Sequence, residues 1–153
     1  MDYFTGGYAY QLDAKNRIRI PAKLRGNQDR LYFAKGTGGS IFVLFVDDMN
    51  VYLDRLKHEV KMTDIDKQRG LRLFTHSIKL VEMDQQGRFV VPQDLLDHAR
   101  ITKDVKICGT SDRIEIWDNK NYDIYMFGGS YDDEEYEKYI ENYDRLFSSI
   151  SVI

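Results

Sequence analysis

LDAKNRIRIPAKLR (residues 12–25) and MDQQGRFVVPQDL (residues 83–95) are two versions of one phrase. At a shift of 71 positions, Asp13 matches Asp84, Arg17 matches Arg88, Pro21 matches Pro92, Leu12 matches Met83 and Leu24 matches Leu95. Farther on the shift becomes 73, and AKGTGGSIFVLF (residues 34–45) runs beside ICGTSDRIEIWD (residues 107–118), with Gly36 on Gly109, Thr37 on Thr110 and Ile41 on Ile114. The chain's only two prolines, Pro21 and Pro92, fall at matched places. Both halves of the phrase recur in the same order, so the chain reads as a tandem repeat.

Local chemistry turns each copy into a β-β-α-β-β unit. A first strand (Tyr8 to Leu12; Ile78 to Met83) runs into an Asp-x-x-x-Arg turn, where Asn16 and Gly87 both tolerate positive φ. A second strand follows (Arg17 to Ile20; Arg88 to Val91), and proline then opens a short helix (Pro21 to Arg25; Pro92 to Ala99). Two more strands flank a Gly-containing turn: Leu31 to Lys35 with Ser40 to Val46, and Val105 to Gly109 with Arg113 to Trp117. The class expected is α+β. FVLF and FVV are continuous apolar runs, the pattern of strands covered on both faces. One unit has too little core to stand alone, so the two are expected to interleave hairpins about a pseudo-two-fold axis as one barrel.

Between the repeats, DDMNVYLDRLKHEV and TDIDKQRGLRLFTH read as helices, with Asp47 and Thr63 as the expected caps. After them, Tyr136, Tyr139, Ile140, Tyr143, Phe147 and Ile150 form one stripe of an acidic C-terminal helix, a core or interface pattern. The expected organisation is a first repeat with its following helix over 1–60, a helical linker over 61–76, a second repeat with its helix over 77–127, and an acidic, Tyr-rich tail over 128–153.

Net charge is −3, unevenly distributed. Residues 1–35 hold seven Lys/Arg against three Asp, whereas residues 118–153 hold three Lys/Arg against nine Asp/Glu. A basic face on an acidic protein suits a polyanion partner. Within LDAKNRIRIPAKLR, Arg17 and Arg19 are two apart on a strand and share a face opposite Ile18 and Ile20, and Lys15 stands at the turn tip. The second copy acts as an internal control. It keeps Asp, Arg, the apolar strand and Pro, but replaces Lys15, Arg19, Lys23 and Arg25 with Gln86, Val90, Asp94 and Leu96. Residues shared by both copies serve the hairpin; the extra cations of the first copy are what folding alone does not require. Asp13, Asn16, Asp84 and Gly87 are therefore turn residues. Lys15, Arg17 and Arg19 are the leading DNA-contact candidates, Lys23 and Arg25 support them through phosphate, and Arg88 keeps a minor contact beside a structural pairing with Asp84. A solvated basic hairpin is the plainer reading of the same residues.

Other chemistries find little footing. Cys108 is the single cysteine and reads as a buried thiol, which leaves no internal disulfide and no Cys-rich zinc site. His58, His76 and His98 are scattered, without a metal-ligand motif. GTGGS (residues 36–40) lacks the Gly-Lys-Ser/Thr ending of a phosphate loop and precedes a strand. No enzyme, cofactor, metal or small-molecule substrate is expected. The N-terminal residues carry no charged-then-apolar leader and no run approaches a membrane span, so a cytoplasmic protein is expected, and the expected DNA contact makes it nucleoid-associated.

LDAKNRIRIPAKLR and MDQQGRFVVPQDL, together with RIEIW, resemble the MraZ family, bacterial transcription regulators of the SpoVT/AbrB swapped-hairpin type. The resemblance covers roughly residues 3–120. It implies a tandem swapped-hairpin fold, a homo-oligomeric ring of about eight to twelve subunits, and binding of double-stranded DNA at repeated promoter boxes upstream of the division and cell-wall gene cluster. Asn16 stands where the family has glycine, VLFVDDM lacks the family's aromatic-proline pair, and the tail from about Tyr131 lies outside the resemblance. The alternative is a non-catalytic assembly protein that holds a protein partner, with the acidic tail as its contact.

Overall fold

The computed structural model describes residues 3–128 and 133–149 of the 153, in two compact units that divide after Asp118. The first unit holds eight strands: β1 (Gly7–Gln11), β2 (Arg17–Ile18), β3 (Arg30–Lys35), β4 (Ile41–Phe45), β5 (Lys79–Glu82), β6 (Phe89–Val90), β7 (Asp104–Thr110) and β8 (Arg113–Asp118). Among the described residues four α-helices accompany them: α1 (Ala22–Arg25), α2 (Met49–Glu59), α3 (Ile65–Ser77) and α4 (Gln93–Ala99). The fold is α+β.

The strands pair across the repeats. Six form one antiparallel sheet in the order β1-β7-β8-β4-β3-β5, and β2 pairs with β6 in a separate ribbon. Each repeat thus lends its first strand to the other: β1 lies on β7, and β5 lies on β3. At the sheet centre Phe42 sits opposite Glu115, and in the ribbon Ile18 sits opposite Phe89. Both pairs join repeat-equivalent positions, so one pseudo-two-fold relation runs through ribbon and sheet.

Alternation then sorts the side chains. Ile18, Ile20, Phe89 and Val91 turn inward and are buried, as are Leu24, Leu95 and Leu96 from the proline-initiated helices. They meet Leu31, Phe33, Ile41, Val43, Ile107, Ile114 and Ile116 of the sheet, with the Phe33 and Phe89 rings 6.0 Å apart. Each fully buried side chain of this size contributes about 1.5–3 kcal/mol over its exposed state, so ribbon and sheet are held mainly by this shared core. β4 is buried on both faces over Ile41 to Leu44, as its unbroken apolar run implies. The FVV run differs: Val90 is 51% exposed, because only one face of the ribbon has a core to cover it.

The linker caps also differ from expectation. A 3-10 turn over Val46–Asp48 leads into α2, so the N-cap position falls at Asp48 and not at Asp47. For α3 the cap is Asp64, not Thr63: its carboxylate accepts the Lys67 amide at 2.9 Å. Asp at a cap carries charge toward the helix N-terminus, which a threonine hydroxyl does not.

In the second unit, α5 (Asn119–Phe127) and α6 (Asp133–Ser148) meet through Phe127 and Tyr139, whose ring centroids are 4.9 Å apart. Tyr136, Tyr143 and Leu146 of α6 are exposed. Tyr131 and Ile150 lie outside the described residues. No helix among the described residues is long and apolar enough to cross a membrane.

Candidate nucleic-acid interface

The two Asp-x-x-x-Arg turns are built alike. Asp13 Oδ1 accepts the amides of Lys15 and Arg17, both at 2.9 Å, and its Oδ2 accepts Arg17 Nε at 2.6 Å. Asp84 Oδ1 accepts the amides of Gln86 and Arg88, both at 2.9 Å, and its Oδ2 accepts Arg88 Nε at 3.1 Å. The aspartate folds the turn by replacing backbone partners, and the arginine clamps it shut. The sharp reversal needs a left-handed residue, supplied by Asn16 at φ +60° and by Gly87 at φ +79°. The Asn16 side chain donates to Gln93 Oε1 at 3.2 Å, which ties the first turn to α4 of the second repeat.

Electrostatics separate the turns. Arg88 Nη1 also lies 3.7 Å from Asp13 Oδ2, so Asp13 faces two guanidinium groups. Chiefly the Arg17 amide, and with it the Arg17 side chain and the Lys15 amide, lower the Asp13 pKa to about 2 against opposing desolvation. Asp84 is also lowered, chiefly by the Arg88 amide.

The ribbon presents these groups on one face. With Ile18 and Phe89 turned into the core, Arg17 and Val90 stand outward opposite each other. Continuing the register sets Arg19 opposite Arg88. Arg19 is exposed and its Nη1 donates to the Gln86 carbonyl, so it lies across the second turn. Lys15 and Lys23 are exposed and form no ion pair among the described residues. Arg25 is half-buried and donates to the Ile20 and Gly26 carbonyls, each at 3.2 Å. On the second repeat Asp94, the match of Lys23, is paired with Lys79 at 2.7 Å. Lys15, Arg17, Arg19 and Arg88 thus share the ribbon's outer face and its first tip, whereas Lys23 and Arg25 sit at the helix behind it.

Sequence reasoning did not find the contact from Arg88 to Asp13 or that from Arg19 to Gln86; both cross from one repeat to the other. It also missed Glu115, which is buried and accepts hydrogen bonds from Thr110 Oγ1, Arg113 Nε and Trp117 Nε1. Cys108 is buried, and its thiol pKa is raised by that burial. Among the described residues no cluster of three or more His, Cys, Asp or Glu could hold a metal ion.

Comparison with known proteins adds an independent line. Residues 74–127 match the family model described as "MraZ protein, putative antitoxin-like". The chain is 37% identical over 123 residues to the transcriptional regulator MraZ of Clostridium beijerinckii, covering 80% of this chain and 86% of that protein. It is 34% identical over 142 residues to the transcriptional regulator MraZ of Thermoanaerobacter pseudethanolicus (92% and 96% covered). The transcriptional regulator MraZ of Alkaliphilus metalliredigens is 32% identical over 144 residues (94% and 96% covered).

Proposed function

The chain belongs to the MraZ family, and from that premise we propose that it regulates transcription by binding double-stranded DNA through the β2/β6 ribbon. The supporting observation is the outward face of that ribbon, with Arg17, Arg19 and Arg88 together and Lys15 at the tip. A two-stranded ribbon fits the roughly 12 Å width of the major groove, and guanidinium groups reach both phosphate and the guanine edge. Arg17, Arg19 and Lys15 are the primary contacts, and Lys23, Arg25 and Arg88 act through phosphate. The protein is cytoplasmic and nucleoid-associated in this reading.

Each neutralised phosphate adds close to one unit to the salt dependence, so a single ribbon with about three contacts binds weakly. A ring of about eight to twelve copies would set many ribbons against repeated promoter boxes upstream of the division and cell-wall gene cluster, and effective concentration then raises the affinity. The test is the Lys15→Ala/Arg17→Ala double variant on DNA from upstream of the protein's own gene, at matched salt. A loss of about 100-fold or more is expected. Arg17 also clamps its turn, so Lys15→Glu is the cleaner companion: Lys15 has no ion pair to lose among the described residues. Unchanged binding by both variants would remove the ribbon from the interface.

The exposed Tyr136 and Tyr143 on the acidic α6 favour a second reading, an assembly protein that docks a protein partner. Binding driven by basic groups weakens steeply between low and moderate salt. Complex formation through tyrosines does not.

A further inference from the structure

Arg17, Arg19 and Arg88 share the ribbon's outer face but differ in what holds them. Arg17 is held by the Asp13 carboxylate, and Arg88 lies against those of Asp84 and Asp13. Guanidinium and carboxylate balance there. Arg19 has no ion pair among the described residues, and its Nη1 donates to the Gln86 backbone carbonyl of the other repeat. A carbonyl holds the guanidinium without neutralising it and leaves its other N–H groups for a planar partner. The room for this bond comes from Gly87. A Cβ there would sit 3.1 Å from Arg19 Nη1, the flexible end of a side chain, and would meet no other atom within 4 Å. The first turn differs at both places, with Asn16 matching Gly87 and Val90 matching Arg19. The Val91 amide donates to the Asn16 carbonyl at 2.9 Å, which sets the neighbouring Val90 beside that turn. Valine has no donor to lay across a carbonyl, so a Cβ at position 16 obstructs nothing. Asn16 holds a φ of +60° as Gly87 holds +79°, so the turn itself accepts asparagine. Glycine is needed only where the arginine crosses.

We propose that Arg19 is the residue of the ribbon that discriminates between bases, and that Gln86 and Gly87 of the second repeat position it: the carbonyl aims the guanidinium and the absent Cβ leaves it room. This rests on the reading that the ribbon enters the major groove of DNA. Guanine O6 and N7 accept two N–H groups from one guanidinium fork. Ordering the side chain before binding removes part of the cost of immobilising it on a base edge. The second repeat, which lacks the extra cations, thus contributes to recognition through its backbone.

The experiment compares the full chain and its variants on two duplexes at matched salt, one from upstream of the protein's own gene and a scrambled one of the same composition. Arg19→Lys keeps the charge and loses the fork. Its preference for the upstream duplex should fall about tenfold, while binding to the scrambled one changes less than about twofold. Gly87→Asn keeps the turn, as Asn16 does, but crowds the guanidinium. It should lose a similar share of the preference, with the unfolding temperature within about 2 °C of the parent. In an Arg19→Ala background the Gly87→Asn change should have no further effect on binding. In the free protein, NMR relaxation should find Arg19 Nε as ordered as the clamped Arg17 Nε, and disordered in Gly87→Asn. The proposal is overturned if Arg19→Lys keeps the preference, if Gly87→Asn discriminates like the parent, or if Gly87→Asn weakens both duplexes equally along with stability. If Lys15→Ala/Arg17→Ala and Lys15→Glu bind like the parent, the ribbon reading falls and this proposal falls with it. If those variants bind weakly while Gly87→Asn keeps its preference, only the positioning by the second repeat falls.

Discussion

The Asp13 and Asp84 turns share one hydrogen-bond plan yet differ in what surrounds it. Around Asp13 stand Arg17, Arg88 and the exposed Lys15; around Asp84 stand Arg88, Gln86 and Gly87. The common plan belongs to folding, because both copies need the same reversal. The difference belongs to the surface, because charge at positions 15, 19 and 23 does nothing for the core. Duplication inside one chain thus separates what the turn requires from what it does not, without any second protein.

The largest way to break the comparison lies at matched glycines. A Cβ on Gly109 would sit 2.3 Å from the Thr5 amide nitrogen and 2.6 Å from the Phe4 carbonyl carbon, both backbone atoms. On Gly36 it would meet the Ser40 hydroxyl at 2.3 Å and the Phe42 ring at 2.5 Å, which are side chains. Gly109→Ala should cost about 3 kcal/mol and Gly36→Ala about 1–2 kcal/mol, measured by urea unfolding. Equal costs would mean that the Phe4–Thr5 segment yields as readily as a side chain.

Val90→Arg sharpens the functional difference. Val90 is exposed and is the match of Arg19, so the change gives the second copy the cation that it lacks. DNA affinity should rise several-fold and the salt slope should steepen by about 0.9. An unchanged slope would show that the second strand does not face phosphate.

A pH titration separates the two carboxylates. Both pKa values are depressed, and that of Asp13 reaches about 2. A depressed carboxylate stabilises the fold above its unfolded pKa, and the contribution disappears as pH falls through the folded value. The first turn should therefore loosen between about pH 4 and a pH of about 2. Carboxyl NMR shifts should place the Asp13 midpoint near the lower end, and Asp13→Asn should abolish the step.

The smallest effect is expected at Asn16→Gly, which makes the first turn resemble the second. Glycine relaxes the φ of +60° but loses the contact to Gln93 and gains freedom in the unfolded chain. The net change in stability should stay within about 0.5 kcal/mol by thermal unfolding.

The sequence was most informative where the physics is short-range. Asp, a left-handed residue and Arg within five positions fold a turn wherever they occur, and proline opens a helix by fixing its own φ. The repeat made those local signals legible twice. The Asp64 cap went unread because Thr63 and Asp64 are adjacent and both cap helices; the chain's path chose between them. Val90 was misjudged as covered because an apolar run looks the same whether one face or two are packed.

By itself, then, the sequence determined two α+β units, their turns, and a charge difference confined to one copy. Tertiary structure alone decided that β1 pairs with β7 and β5 with β3, that Arg88 reaches Asp13, and that Arg19 lies on the Gln86 carbonyl. The reason is distance along the chain. A strand's hydrogen-bonding groups are the same for every partner, so pairing is chosen by which faces bury the most apolar surface together.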